Sequence, residues 1–167
     1  MTTYDPPVNT YVPLASTDIS SGTSNINFAG LDAYDTYQIH ITGVASGAFN
    51  MRIKLNNSTG SVYQIQTLGA ESASSTAYVS STGATTHPSV ARGPYCVDNF
   101  HMIFTIYNCQ DSSIESTIFV EGYRDDDWVY FSGVSYAVTD LITQIDLSPD
   151  NANTISSGHV AIYGLGI

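Results

Sequence analysis

The sequence predicts an all-β fold: an antiparallel β-sandwich of jelly-roll type, about ten strands, with an extended N-terminal arm. Three observations carry this. Ile, Val and Thr number 45, against 35 for Ala, Leu, Met, Glu, Gln, Lys and Arg combined. Helical domains show the reverse, because β-branched side chains lose rotamer freedom in a helix and fit a pleated sheet. Apolar residues recur with a period of two in segment after segment, and no segment holds a convincing helical period. Turn residues recur at roughly 8–15-residue spacing, as in sandwiches and barrels. A chain of 167 residues suits one domain with a sizeable core, divided as an arm over 1–15 and a single sandwich over 16–167.

Taken in order, the arm holds Pro6, Pro7 and Pro13, which lack backbone donors and allow at most an edge strand. Such an arm suits either packing across a neighbouring subunit or a mobile terminus. Tyr37, Ile39 and Ile41 then alternate with Gln38, His40 and Thr42, and Phe49, Met51, Ile53 and Leu55 with Asn50, Arg52 and Lys54. Each run has one dry and one wet face. The turn residues Asn57-Ser58-Thr59-Gly60, followed by Tyr63 and Ile65 in phase, read as a hairpin over 49–67. Residues 69–94 are rich in Ser, Thr, Ala and Gly and predict long loops around a short strand near Ala77-Tyr78-Val79. In 100–108 both phases are apolar, Met102, Phe104 and Ile106 on one side and Ile103, Thr105 and Tyr107 on the other, which predicts a central strand covered on two sides. Further strands follow in 114–123, 128–138, 141–148 and 158–167. In the last, Ser156-Ser157-Gly158 predicts a turn in which Gly158 takes a positive φ, with Val160 and Ile162 inward. Gly164 and Gly166 there let another backbone approach, and the final Ile167 predicts a packed terminus.

Composition excludes several classes. The formal charge of -11, with four cations, cannot neutralise many phosphates and argues against nucleic-acid binding. No run of apolar residues is long enough for a membrane helix, and the opening MTTYDPPVNTY has neither the basic nor the apolar region of a secretory signal. A hydrophobic share of 43% with 12 Tyr is too high for a solvated coil.

The chemistry-bearing residues are sparse. Asp125-Asp126-Asp127 can offer oxygens to Ca²⁺ but lack the EF-hand spacing, so a solvated acidic turn is expected. Cys96, His101 and Cys109 match no zinc spacing. The two cysteines are expected as buried thiols, with a disulfide as the alternative. The serine-nucleophile elbow, the phosphate-binding loop and the metalloprotease helix motif are all missing. The sequence therefore predicts no catalytic residues, cofactor or metal. Its many Tyr residues suit a sugar platform, a subunit interface or ordinary sheet packing. Trp128, beside the acidic run, with Tyr130 and Tyr95, is the candidate partner or glycan contact.

Several segments resemble a group of small bacteriophage virion proteins. They are Ser20-Ser21-Gly22 through INFAGL (Ile26 to Leu31), the strand beginning at Tyr37, MRIKLNN with Tyr63 beyond it, and above all ITQIDLSPDNANTISSGHVAIYGL over 142–165. The chain departs from the pattern at QIHI after Tyr37, and 69–99 has no counterpart. The resemblance implies a β-sandwich building block of a virion, assembled in the bacterial host cytoplasm. The expectation is a capsid decoration or cement protein, a homotrimer that binds the phage major capsid protein. The alternative is a tail or fibre-associated module that binds host glycans.

Overall fold

A computed structural model of the chain describes residues 10–58, 61–71, 76–85, 95–124 and 128–165. Twelve strands run through them: β1 (Tyr11–Ile19), β2 (Ile26–Ala29), β3 (Thr36–Ala45) and β4 (Phe49–Leu55) come first. β5 (Tyr63–Glu71), β6 (Thr76–Thr85), β7 (Tyr95–Cys96) and β8 (Asn99–Tyr107) follow. β9 (Ser116–Arg124), β10 (Trp128–Tyr136), β11 (Gln144–Pro149) and β12 (Ile155–Leu165) complete the set. The described residues contain no helix, and none is long and apolar enough to cross a membrane. The all-β sandwich expected from the period-two patterning is present.

The strands form two sheets. The larger has eight, in the order β1-β12-β3-β8-β9-β10-β5-β6, and the smaller four, β2-β11-β4-β7. Every pair between neighbours is antiparallel. One core lies between them. Phe49, Met51, Ile53 and Leu55 of β4, with Ile145 and Leu147 of β11, meet Tyr37, Ile39 and Ile41 of β3 and Met102, Phe104 and Ile106 of β8 in a single buried cluster. The Phe49 and Phe100 rings cross edge to face at 6.0 Å, and the Leu55 backbone N–H donates to Tyr63 Oη at 2.9 Å. Both contacts join one sheet to the other.

Several expectations need correction. Residues 49–67 are not a hairpin: β4 pairs with β11 and β7, whereas β5 pairs with β10 and β6. Asn56 and Asn57 take positive φ of 50° and 54°, which Asn tolerates. The chain thereby leaves one sheet for the other. Asn56 also fastens this corner, its Oδ1 accepting from the Thr143 N–H at 2.8 Å and its Nδ2 donating to Leu141 O at 2.7 Å. The region after residue 69 holds a long hairpin, since β5 runs to Glu71 and β6 pairs with it from Thr76 to Thr82 and again, past an irregularity, at Thr85. Small side chains hid that strand, because they carry no apolar alternation. The arm boundary at residue 15 falls inside β1, an edge strand on β12 with a bulge between Pro13 and Ala15, where a missing donor is tolerated. Residues 1–9, with Pro6 and Pro7, lie outside the described residues, as do Gly166 and Ile167.

β8 is central in its sheet, but only one of its faces is covered: Met102, Phe104 and Ile106 are buried, while Tyr107 on the other side is exposed. Ser156 to Gly158 lies within β12, beside an irregularity between Ile155 and Ser157, and is not a turn. Gly158 does take a positive φ, 152°, opposite Gly43. A Cβ at this position would run into the Thr42 carbonyl oxygen, so glycine lets the two backbones approach. Val160 and Ile162 are buried as expected.

Candidate functional site

The three residues singled out from sequence do not form one site. Tyr130 is a core residue, 2% exposed. It sits opposite Gly122, and its phenol occupies the space a Cβ on Gly122 would need. It is therefore no surface contact. Trp128 begins β10, in register with Arg124 and Glu71, while Tyr95 pairs with Asn50 in the small sheet. The two sit in different sheets, and their side chains lie outside the described residues. Among the other Tyr residues, Tyr63 and Tyr136 are buried with ring centroids 5.1 Å apart, and burial raises the Tyr63 hydroxyl pKa above its ordinary value. Tyr107 and Tyr123 are exposed.

The remaining candidates resolve as follows. Asp125, Asp126 and Asp127 lie outside the described residues. Among the described residues, no three His, Cys, Asp or Glu side chains converge to hold a metal. Cys96 and Cys109 are each fully buried thiols. Burial, opposed by a backbone hydrogen bond at Met51, holds Cys96 well above the usual thiol range. Burial, with Asp35 adding to it, pushes Cys109 up to about 12. Neither is a nucleophile in this state, because the thiolate is the reactive form.

The feature that stands out is the outer face of the large sheet. Four adjacent strands, β8, β9, β10 and β5, present Tyr107, Phe119, Tyr123, Val129, Phe131 and Leu68, each between 41% and 52% exposed. The register makes them neighbours: Phe131 lies opposite Leu68, and Val129 opposite Tyr123. Tyr107 and Phe119 meet edge to face at 6.0 Å. Gly133, opposite Phe119 and Gln66, carries no side chain. It leaves an open hollow of about 690 Å³ walled by Phe119, Phe131, Leu68 and Tyr107.

Sequence reasoning missed this face for a definite reason. β9 and β10 are apolar in both phases, Ile118 and Val120 against Phe119, and Tyr130 and Val134 against Val129 and Phe131. The alternation shows that two faces exist and not which one is covered.

Beyond β8 the same outer face turns polar. His40 and His101 have ring centroids 6.5 Å apart, and the Tyr163 ring stands edge-on to His40 at 5.3 Å. His40 Nε2 and Gln38 Oε1 share a 2.7 Å hydrogen bond. Burial, then the His101 charge, lowers the pKa of His40. His159 Nδ1 and Asp18 Oδ1 are 2.9 Å apart and join β12 to the edge strand β1.

The outer face of the small sheet differs again. Asp146 is 8% exposed and accepts from Asn27 Nδ2 at 2.6 Å and Gln144 Nε2 at 2.9 Å. Asp150 accepts from the Asn50 N–H at 2.8 Å and its Nδ2 at 2.7 Å. Arg52 and Lys54 lie on the same side of β4, opposite Ser148 and Asp146.

Fold and surface together define a two-sheet sandwich with one broad apolar outer face. No family model matches the chain, and no curated protein matches it. Among solved structures it is similar to a fructofuranosidase from Schwanniomyces occidentalis, solved in complex with fructosylnystose, at 10% identity and a TM-score of 0.34. The likeness spans 97% of this chain and 35% of that one, so the chain corresponds to about a third of that protein's length. At this similarity it carries no argument about function.

Proposed function

We propose that the protein is a structural component of a bacteriophage particle, a capsid decoration or cement protein that self-assembles and binds across joints between capsid subunits. The observation that carries this reading is the outer face of the large sheet, where six half-exposed apolar side chains lie side by side. Isolated exposed apolar residues are ordinary, but contiguous patches mark contact surfaces. A decoration protein works by adding buried area across joints, and a standard contact of roughly 1,600 Å² in total raises the barrier to expansion under internal DNA pressure. The charge of -11 keeps unassembled copies soluble and suits docking on a basic capsid surface. The sequence resemblance over 142–165 supports the same assignment.

The test is cosedimentation with expanded phage heads, followed by heating of the decorated and bare particles. The expected result is saturable binding and a higher temperature of head disruption. Protein left in the supernatant at every head concentration would sink the proposal.

The exposed Tyr107 and Tyr123 rings favour a second reading, a tail or fibre module that stacks host glycans. Gln66 and Glu121 line the hollow, but most of the exposed area belongs to Phe119, Phe131, Leu68 and Val129, which offer a sugar no hydrogen bonds, and this places protein contact first. Binding on a glycan array that is lost in Tyr123→Ala would reverse that order.

A further inference from the structure

We infer that the apolar outer face of the large sheet is a self-complementary interface that seats a second copy of this chain, face against face, about a two-fold axis. The inference rests on the reading of this face as the contact through which the protein self-assembles, and leaves any basic capsid surface to the acidic surfaces outside it.

Three features of the face select a second copy. The first is area. Four aromatic rings at about half exposure, each presenting roughly 100 Å², together with Leu68 and Val129 offer on the order of 500 Å² of apolar surface. The polar side chains on the same face, Gln66, Thr105, Thr117 and Glu121, bring it towards the ~800 Å² that each side of a standard interface buries. The second is shape. Phe119 and Phe131 stand beside the hollow over Gly133, so projection and recess belong to the same patch. An isologous contact needs this arrangement, because each subunit must supply both knob and hole. Sheets packed face to face interdigitate their side chains in the same way inside a sandwich.

The third feature is charge. Of the 15 acidic residues in the chain, Glu121 supplies the one carboxylate among the described positions around the hollow. A partner selected by opposite charge finds little to grip here. Two copies of an acidic chain meet on this face by bringing in one carboxylate each, Glu121 between Phe119 and Tyr123, and not their wider acidic surfaces. A single self-complementary patch closes as a pair, and the trimer expected from sequence would require a second, different surface.

The test is the mass of the purified full chain by sedimentation velocity across a concentration series, with no capsid present. The wild type should run at twice its 17.9 kDa. Phe131→Glu should raise the dissociation midpoint about tenfold or more while leaving the circular dichroism spectrum unchanged. Gly133→Leu is the second variant. A Cβ at Gly133 meets only Phe119 Cε1, at 3.8 Å, so the fold accepts a side chain while the recess fills, and pairing should weaken. Ile114→Glu, which removes an equally exposed apolar side chain from the turn after β8, should leave the mass unchanged.

A monomer throughout the series would overturn the inference, as would a threefold mass or a Phe131→Glu protein that pairs like the wild type. A paired protein that ignores phage heads would count against the proposed function alone. A monomer that still coats them would count against the pair alone.

Discussion

On the outer face of the small sheet, Asn27 and Gln144 both donate to Asp146, and Asn50 donates to Asp150. Over β5, β8, β9 and β10 of the large sheet, the outer face instead leaves Phe, Tyr, Leu and Val side chains half in water. Both faces are built on strands of the same pleat, and both rest on one core. The difference shows where association energy is available. On the polar face the Asp146 and Asp150 carboxylates are already bonded within the chain, so a partner docking there would have to replace bonds that exist. On the apolar face, covering the side chains releases water and breaks no bond.

Three measurements would break or sharpen this contrast, beginning with the largest effect. If the faces differ only on the outside, truncation beneath either one should be costly. Phe104→Ala under the large sheet should lose about 3–5 kcal/mol and Met51→Ala under the small sheet about 2–5 kcal/mol, read from urea unfolding. A near-silent result at either position would mean that the sheets do not share one core.

The next effect lies at the surface. Asp146→Ala strands the donors of Asn27 and Gln144 and should cost about 1–3 kcal/mol. Glu121→Ala, on the apolar face, should stay within about 0.5 kcal/mol. Equal losses at the two positions would erase the distinction between a bonded face and an unbonded one.

The smallest effect concerns the polar half of the large sheet's outer face. The groups facing His40 are Gln38, His101 and Tyr163, none of them a carboxylate. Its folded-state pKa lies below the ordinary 6.5, so the unfolded chain takes up the proton first. Stability from this group is therefore intact above pH 6.5 and declines as pH falls from there through the lower folded value. His40→Asn should flatten that part of the pH–stability curve. An unchanged slope in the variant would remove His40 from the account.

Much of the fold is legible from residue types alone. Phe49, Met51, Ile53 and Leu55 alternate with polar residues, and all four are buried. The same holds for Tyr37, Ile39 and Ile41, and the closing strand buries Val160 and Ile162 as its pattern requires. The candidate site was much less legible. Residue type points to Trp128, Tyr130 and Tyr95, yet Tyr130 fills the core because Gly122 opposite leaves room for its ring. Phe119 and Phe131, which make the exposed face, have the size and apolarity of core residues, so residue type alone does not mark them as exposed.

The chain by itself determined that it forms strands and which residues share a face, because the two-residue repeat is a property of the local backbone. Only the tertiary structure decided that β4 and β5 belong to different sheets, that β6 is a full strand, and that one apolar phase of β9 and β10 faces outward. Those outcomes depend on which strand lies alongside and which sheet lies above. They are contacts between residues distant in sequence, and local periodicity carries no record of them.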